Sequence, residues 1–115
     1  MSKADAVRLR HMMEAAEEAL SFARGQTRHD LDRNRMLSMA ITRCIEIIGE
    51  AEARISPETK ARRPEIPWTS IVGARNWLIH AYFDINLDRV WDTITVDLPK
   101  LVTELKKIPL ESLKP

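Results

Sequence analysis

The sequence is short of the residues that build disulfides, thiolate metal cages and membrane spans. Cys44 is the only cysteine, which excludes an intrachain disulfide and any zinc site made of clustered cysteines. No apolar run approaches the ~20 residues that a membrane-spanning helix requires, and the first residues lack the apolar segment of a secretion signal. Cytoplasm is the expected compartment, with no membrane partner. Glycine occurs three times and aromatic residues make up 5%, while Ala, Leu, Ile, Glu, Arg and Lys are plentiful; that balance favours an all-helical chain. An excess of one charge is also missing. Eighteen basic residues against 17 acidic ones leave a formal net charge of +1, so nucleic acid would have to be held by a local patch and not by a global field. Strand-like alternation, internal repeats and low-complexity tracts are absent too. What remains, 44% apolar and 30% charged residues in a chain of 115, is enough for one domain around a single core.

Helical spacing then sets out the elements. From about Lys3 to Arg24, Val7, Leu9, Met12, Met13, Ala16, Ala19, Leu20 and Ala23 form an apolar stripe, with Glu14, Glu17 and Glu18 outside it and Gly25 as the stop. Thr27 to Asp30 resembles a capping box and opens a second helical segment from Leu31 to Arg54. Cys44 lies among its apolar residues and is expected to be a buried, reduced thiol. Glu46 and Glu50, one turn apart, can be read as an acid/base or metal pair. With no His or Asp at ligand spacing, a solvated face with Glu50 and Arg54 as partners is the better reading. Ser56 and Pro57 look like the cap and first position of a short helical turn, soon broken by Pro64 and Pro67. Arg54, Lys60, Arg62 and Arg63 make the densest basic cluster. Such a cluster is usually a solvated loop, but beside a catalytic groove Arg54, Arg62 and Arg63 become candidate RNA-phosphate contacts. A third helix starts at Pro67-Trp68. Asp84 and Asn86 supply the next turn and cap, and a fourth helix runs from Leu87 to about Ile108, with Pro99 expected to kink or split it. The expected fold is all-α: four main helices in an up-and-down bundle, with a short extra helical turn before the third. One domain covers residues 1–115, its core from about 4 to 108 and a loosely held tail from 109 to 115. Surplus apolar surface on the third and fourth helices, Trp77 and Trp91 included, suggests closure against another copy.

The third helix carries the chemistry. It is apolar nearly all round and expected to be interior, yet Arg75, Asn76, His80 and Tyr82 fall within eight residues. Buried polar groups are costly unless paired and are kept most often where they act. At about 100° per residue, Arg75 and Tyr82 share one line and Asn76 and His80 another, the two about 120° apart. A structural Arg and His, each satisfied by hydrogen bonds in a helical core, is the plain alternative. As chemistry, the set suits metal-independent RNA cleavage. An imidazole moves protons near neutrality, and a guanidinium fork steadies growing phosphate charge. Asn76 can orient the imidazole or donate to phosphate, and the RNA supplies its own 2′-OH as nucleophile. No metal is expected, since clustered His and Asp/Glu ligands are missing.

Arg75-x4-His80-x-Tyr82 resembles the R-x4-H-x-Y signature of HEPN-domain proteins, specifically the HepT toxin family. The phrases Ile47-Ile48-Gly49-Glu50-Ala51, Pro64-Glu65-Ile66-Pro67-Trp68, Tyr82-Phe83-Asp84, Val90-Trp91-Asp92 and Asp97-Leu98-Pro99 are similar to that family's in the same order. The resemblance covers roughly residues 5 to 108. Ala81 departs from it, where many relatives have Gly. The resemblance implies a HEPN bundle that forms a homodimer, with an RNA-cleaving site at or near the interface. It further implies Arg75 and His80 as the catalytic pair and Asn76 as their support. The implied partner is an MntA-type minimal nucleotidyltransferase antitoxin that transfers AMP from ATP onto Tyr82. The toxin would need no cofactor, and ATP and Mg²⁺ would belong to the antitoxin. The rival, from another class, is a non-catalytic helical partner of a nucleotidyltransferase, in which Arg75 and His80 serve recognition.

Overall fold

The computed structural model of the chain describes residues 1–79 and 85–109. Within them the order is α1 (Lys3–Ala23), α2 (Arg28–Arg33), α3 (Arg35–Ala53), α4 (Pro57–Arg62), α5 (Trp68–Ile79), α6 (Leu87–Asp92), a π-helical turn (Thr93–Asp97) and α7 (Leu98–Leu105). No strand occurs among the described residues. The all-α bundle is therefore as expected. His80 to Asp84 and the tail from residue 110 lie outside the described residues.

The caps explain most boundaries. Ser2 accepts from the Asp5 amide to start α1, and Gly25, at φ 75°, lets the chain leave it. Thr27 and Asp30 form the expected capping box. The expected single segment up to Arg54 is broken, however. Asn34 leaves helical geometry at φ −120°, ψ 95°, and its side chain accepts from the Leu37 amide, so it ends α2 and starts α3. A cap-forming side chain there competes successfully with helix continuation. Ser56 caps α4 with Pro57 behind it, and Asn86 caps α6 by accepting from the Asp88 and Arg89 amides.

Pro99 does not split the last helix. Asp97 and Leu98 keep helical angles, and the chain widens into a π turn just before the proline, where the Leu98 amide reaches back to the Thr93 carbonyl. The hydroxyls of Thr93 and Thr95 bond the Arg89 and Trp91 carbonyls at 2.9 and 2.8 Å. The turn thus accommodates the missing proline N–H, and α6, the π turn and α7 follow one another without a break.

Helix α1 runs antiparallel to α3: Asp5 meets Ser56 at one end and Glu18 meets Cys44 at the other. Helix α5 packs on α3, and α7 packs on α1. Leu9, Met12, Ala16 and Ala19 of α1 face Ile41, Ile45 and Ile48 of α3, and Leu98, Leu101 and Leu105 of α7 complete the core. Each of these leucines contributes about 1.5–3 kcal/mol by leaving water. Cys44 is buried as expected. Burial, with the Glu18 carboxylate 3.7 Å away, pushes its thiol up to about 11, so it is inert at neutral pH.

Asp5 locks the open end of the bundle. Only 3% exposed, it accepts from the Ser56 amide (3.2 Å) and from the Ser56 and Thr59 hydroxyls (2.5 and 2.7 Å). Burial raises its pKa, but these hydrogen bonds and the nearby Arg8 outweigh that and leave it below the usual carboxylate range. A depressed native value stabilises the fold above the unfolded pKa, and that contribution is lost as pH falls through the native one. Acid titration of stability should therefore fall away below about pH 4. Asp5→Asn should flatten that limb while costing about 1–3 kcal/mol at neutral pH, as urea denaturation at several pH values would show.

Candidate active site

Helix α5 is not the interior helix its composition suggests. Among its described residues only Ile71 and Ala74 are buried. Val72, Arg75, Trp77 and Leu78 are half-buried, and Gly73 and Asn76 are exposed. A single copy has too few elements to cover an apolar helix all round, so one face rests on α3 and the rest stays partly open. Its first turn is fastened by the Trp68 indole N–H, which donates to the Arg63 carbonyl at 2.9 Å.

Arg75 is held from below by a carboxylate that the surrounding core almost seals. Glu52, near the end of α3, is 1% exposed. One of its oxygens accepts from Arg75 Nη1 at 3.4 Å and the other from Lys60 Nζ. Two cations on one buried carboxylate settle a charge that would otherwise be costly to bury. Lys60 also lies 5.7 Å from the centre of the Trp68 ring, a cation–π distance. It is therefore tied up internally and is no part of a solvated basic loop. Arg75 Nε is buried and has no hydrogen-bond partner among the described residues.

The guanidinium reaches this place because α3 and α5 nearly touch at Gly49. A methyl group on Gly49 would sit 2.9 Å from Arg75 Cβ and 3.0 Å from its Cγ. Gly49→Ala should force the two helices apart, with a stability loss of about 1–3 kcal/mol and a displaced Arg75. Thermal melts and RNA cleavage assays should both register it.

Above the ion pair, Arg75 lines a recess of about 180 Å³ with Leu78, Glu46 and Glu50. Its side chain is 31% exposed there. Glu46 and Glu50 are the solvated pair expected, but Arg43 is their partner, at 3.5 and 3.4 Å, in place of the anticipated Arg54. Arg43 offsets part of their charge at the rim.

The other anticipated site residues scatter. Asn76 is exposed on α5, and His80 and Tyr82 lie outside the described residues. Arg54 caps the exposed end of α3 and lines a separate recess with Arg8 and His11. Arg62 is exposed at the end of α4, and half-buried Arg63 is its C-cap. Glu52 and Asp5 were not singled out by sequence, and Lys60 and Gly49 stood there only as a member of the basic cluster and of a family phrase. Glu52 did leave a signal: it continues the stripe Ile41, Ile45, Ile48, so an acid on that face demands a cationic partner.

Comparison with known proteins gives the family. The family model described as "Ribonuclease HepT-like" matches residues 12–108. A candidate RNase of Methanocaldococcus jannaschii is 35% identical over 107 residues, covering 92% of this chain and 98% of that protein. A candidate ribonuclease HepT of Thermococcus cleftensis is 35% identical over 100 residues, covering 87% and 91%. A candidate RNase of Caldanaerobacter subterraneus is 33% identical over 100 residues, covering 87% and 89%. No solved structure is a significant match. A match across nearly the whole bundle places the chain in the ribonuclease HepT-like family.

Proposed function

We propose that the chain is the toxin of a HepT/MntA-type toxin–antitoxin module and cuts RNA without metal. The observation that carries this reading is Arg75: a permanently charged fork, anchored by buried Glu52 and still open to a surface recess. A guanidinium fixed in place before the reaction is worth most where charge develops on a phosphate. In the reaction the 2′-OH of one ribose attacks the adjacent phosphorus. The P–O bond to the 5′-oxygen of the next nucleotide breaks, leaving a 2′,3′-cyclic phosphate and a free 5′-OH. His80 takes the proton of the attacking hydroxyl or returns one to the leaving oxygen. Arg75 neutralises the non-bridging oxygens, and Asn76 supports either partner.

The half-covered Val72, Trp77 and Leu78 on α5 and Trp91 on α6 are what a second copy would cover, which supports a homodimer with its site near the interface. Neutralisation follows from the same charge logic. An AMP ester on Tyr82 would bring a phosphate that competes for Arg75, with ATP and Mg²⁺ used by the nucleotidyltransferase antitoxin.

The test compares purified wild type with His80→Ala on RNA in the presence of a chelator. Cyclic-phosphate ends from wild type alone fit the proposal. No cleavage by either, together with tight binding to a nucleotidyltransferase, would make the chain a non-catalytic partner. Mass spectrometry after antitoxin and ATP should find AMP on Tyr82 and none on Tyr82→Phe.

A further inference from the structure

A second recess lies across Glu50 from Arg75. It measures about 410 Å³ between α1 and α3, within the ~300–1,000 Å³ of small-ligand pockets. Arg8 and His11 of α1 and Arg54 of α3 line it, with Ile47 and Ala51 as an apolar bed. Glu50 is a wall of this recess and of the one at Arg75, so the two are separated by the width of one side chain.

The charge inventory favours this recess. Elsewhere Arg28, Arg43, Lys60 and Arg75 are paired with carboxylates. Among the described residues Arg8, His11 and Arg54 have no ion-pair partner within 4.0 Å. Arg8 acts on Asp5 through space, but that carboxylate is already taken up by Ser56 and Thr59. Beyond His11 the surface of α1 turns acidic, with Glu14 and Glu18 lining the next recess. Other described cations, Arg62 and Arg63 among them, are unpaired too, but they line none of these recesses; Arg8, His11 and Arg54 are the unpaired ones gathered around a recess beside the proposed cleavage site.

We infer that Arg8 and Arg54 bind a phosphodiester of the RNA strand next to the one held at Arg75. The strand crosses Glu50 with a ribose over that side chain and a phosphate on either side. The two arginines position the substrate and take no part in the bond change. The inference rests on the RNA-cleavage reading, and its test separates the two.

Binding of a short single-stranded 2′-O-methyl RNA, which cannot be cut, is measured by fluorescence anisotropy across a salt series. Wild-type cleavage of unmodified RNA is assayed in parallel. Arg8→Ala/Arg54→Ala should weaken binding at least about tenfold at low salt. It should also reduce the slope of log K against log salt by about 1.4, the change for a single strand when two cationic side chains no longer neutralise its phosphates. Lys106→Ala, an exposed charge removed elsewhere, should change neither. Arg54→Glu alone, on the exposed end of α3, should weaken binding more than Arg54→Ala and serves if the double variant folds poorly. Unchanged affinity and slope in the double variant, with a wild type that cleaves RNA, would overturn the subsite alone. So would intact RNA binding with lost binding of a nucleotidyltransferase, which would make the recess a protein-docking surface. A wild type that neither binds nor cleaves RNA would overturn the cleavage reading and the subsite with it.

Discussion

Arg75→Ala should lower RNA cleavage by roughly 10³-fold while costing only about 1–2 kcal/mol of stability. The two effects separate because Glu52 has two cationic partners. With Arg75 gone, Lys60 still pairs with the buried carboxylate, so no charge is stranded in the core. The lost ion pair is also partly screened, since Arg75 is 31% exposed. The transition state has no such reserve. A phosphate gathering charge at the recess loses its fixed fork of donors, and the other described residues lining it, Glu46, Glu50 and Leu78, supply none. Arg75→Lys should recover little, because a single ammonium on a flexible stem cannot reproduce a planar two-pronged donor. Cleavage rates at saturating RNA, set beside urea denaturation of the same samples, measure both effects. An activity loss no larger than the loss of folded protein would reduce Arg75 to a structural residue.

Glu52→Ala should reverse that balance and damage both properties, with about 2–4 kcal/mol of stability lost and cleavage down by about 10²-fold. Removing Glu52 takes away two ion pairs and leaves a void where the side chain was 2% exposed. The figure stays below the cost of stranding a fully buried charge, because Lys60 and Arg75 are each about a third exposed and can turn toward water. Cleavage suffers because an unanchored guanidinium samples many positions, and a displacement on the order of 1 Å at a reacting centre costs about 10²-fold. Glu52→Gln fills the void and keeps an acceptor, so it should regain most of the stability and little of the rate. Rates measured well below each variant's melting temperature distinguish misplacement from unfolding. If Glu52→Gln cleaves as fast as wild type, Arg75 needs no anchor.

The features legible in the sequence were those set by neighbours a turn or two away. Ser56, Asn86 and the Thr27–Asp30 box cap helices as their side chains dictate. Val90, Ile94, Leu98, Leu101 and Leu105, which recur at helical spacing in the sequence, are buried. Arg75 stood out because a guanidinium in an apolar helix needs a reason. Its anchor did not, because Glu52 is 23 residues away and Lys60 reaches it from a different helix. Only the packing of α5 on α3 at Gly49 brings them together. The break at Asn34 and the π turn before Pro99 were also hidden, although their causes are local: an Asn can sit inside a helix or cap one, and spacing alone does not show which it does. The surface position of α5 ran against its composition. Apolar residues all round a helix show that it gets covered, but not whether the same chain does the covering.

The most direct test of metal-free cleavage by the RNA's own hydroxyl is to map one cleavage site, then offer the same RNA with a single 2′-deoxy sugar at that nucleotide, in excess chelator. The account predicts that the parent strand is cut to a 2′,3′-cyclic phosphate at the full rate and that the substituted strand is left intact there. Cutting of the substituted strand at the same site, or loss of all cutting on chelation, would contradict it.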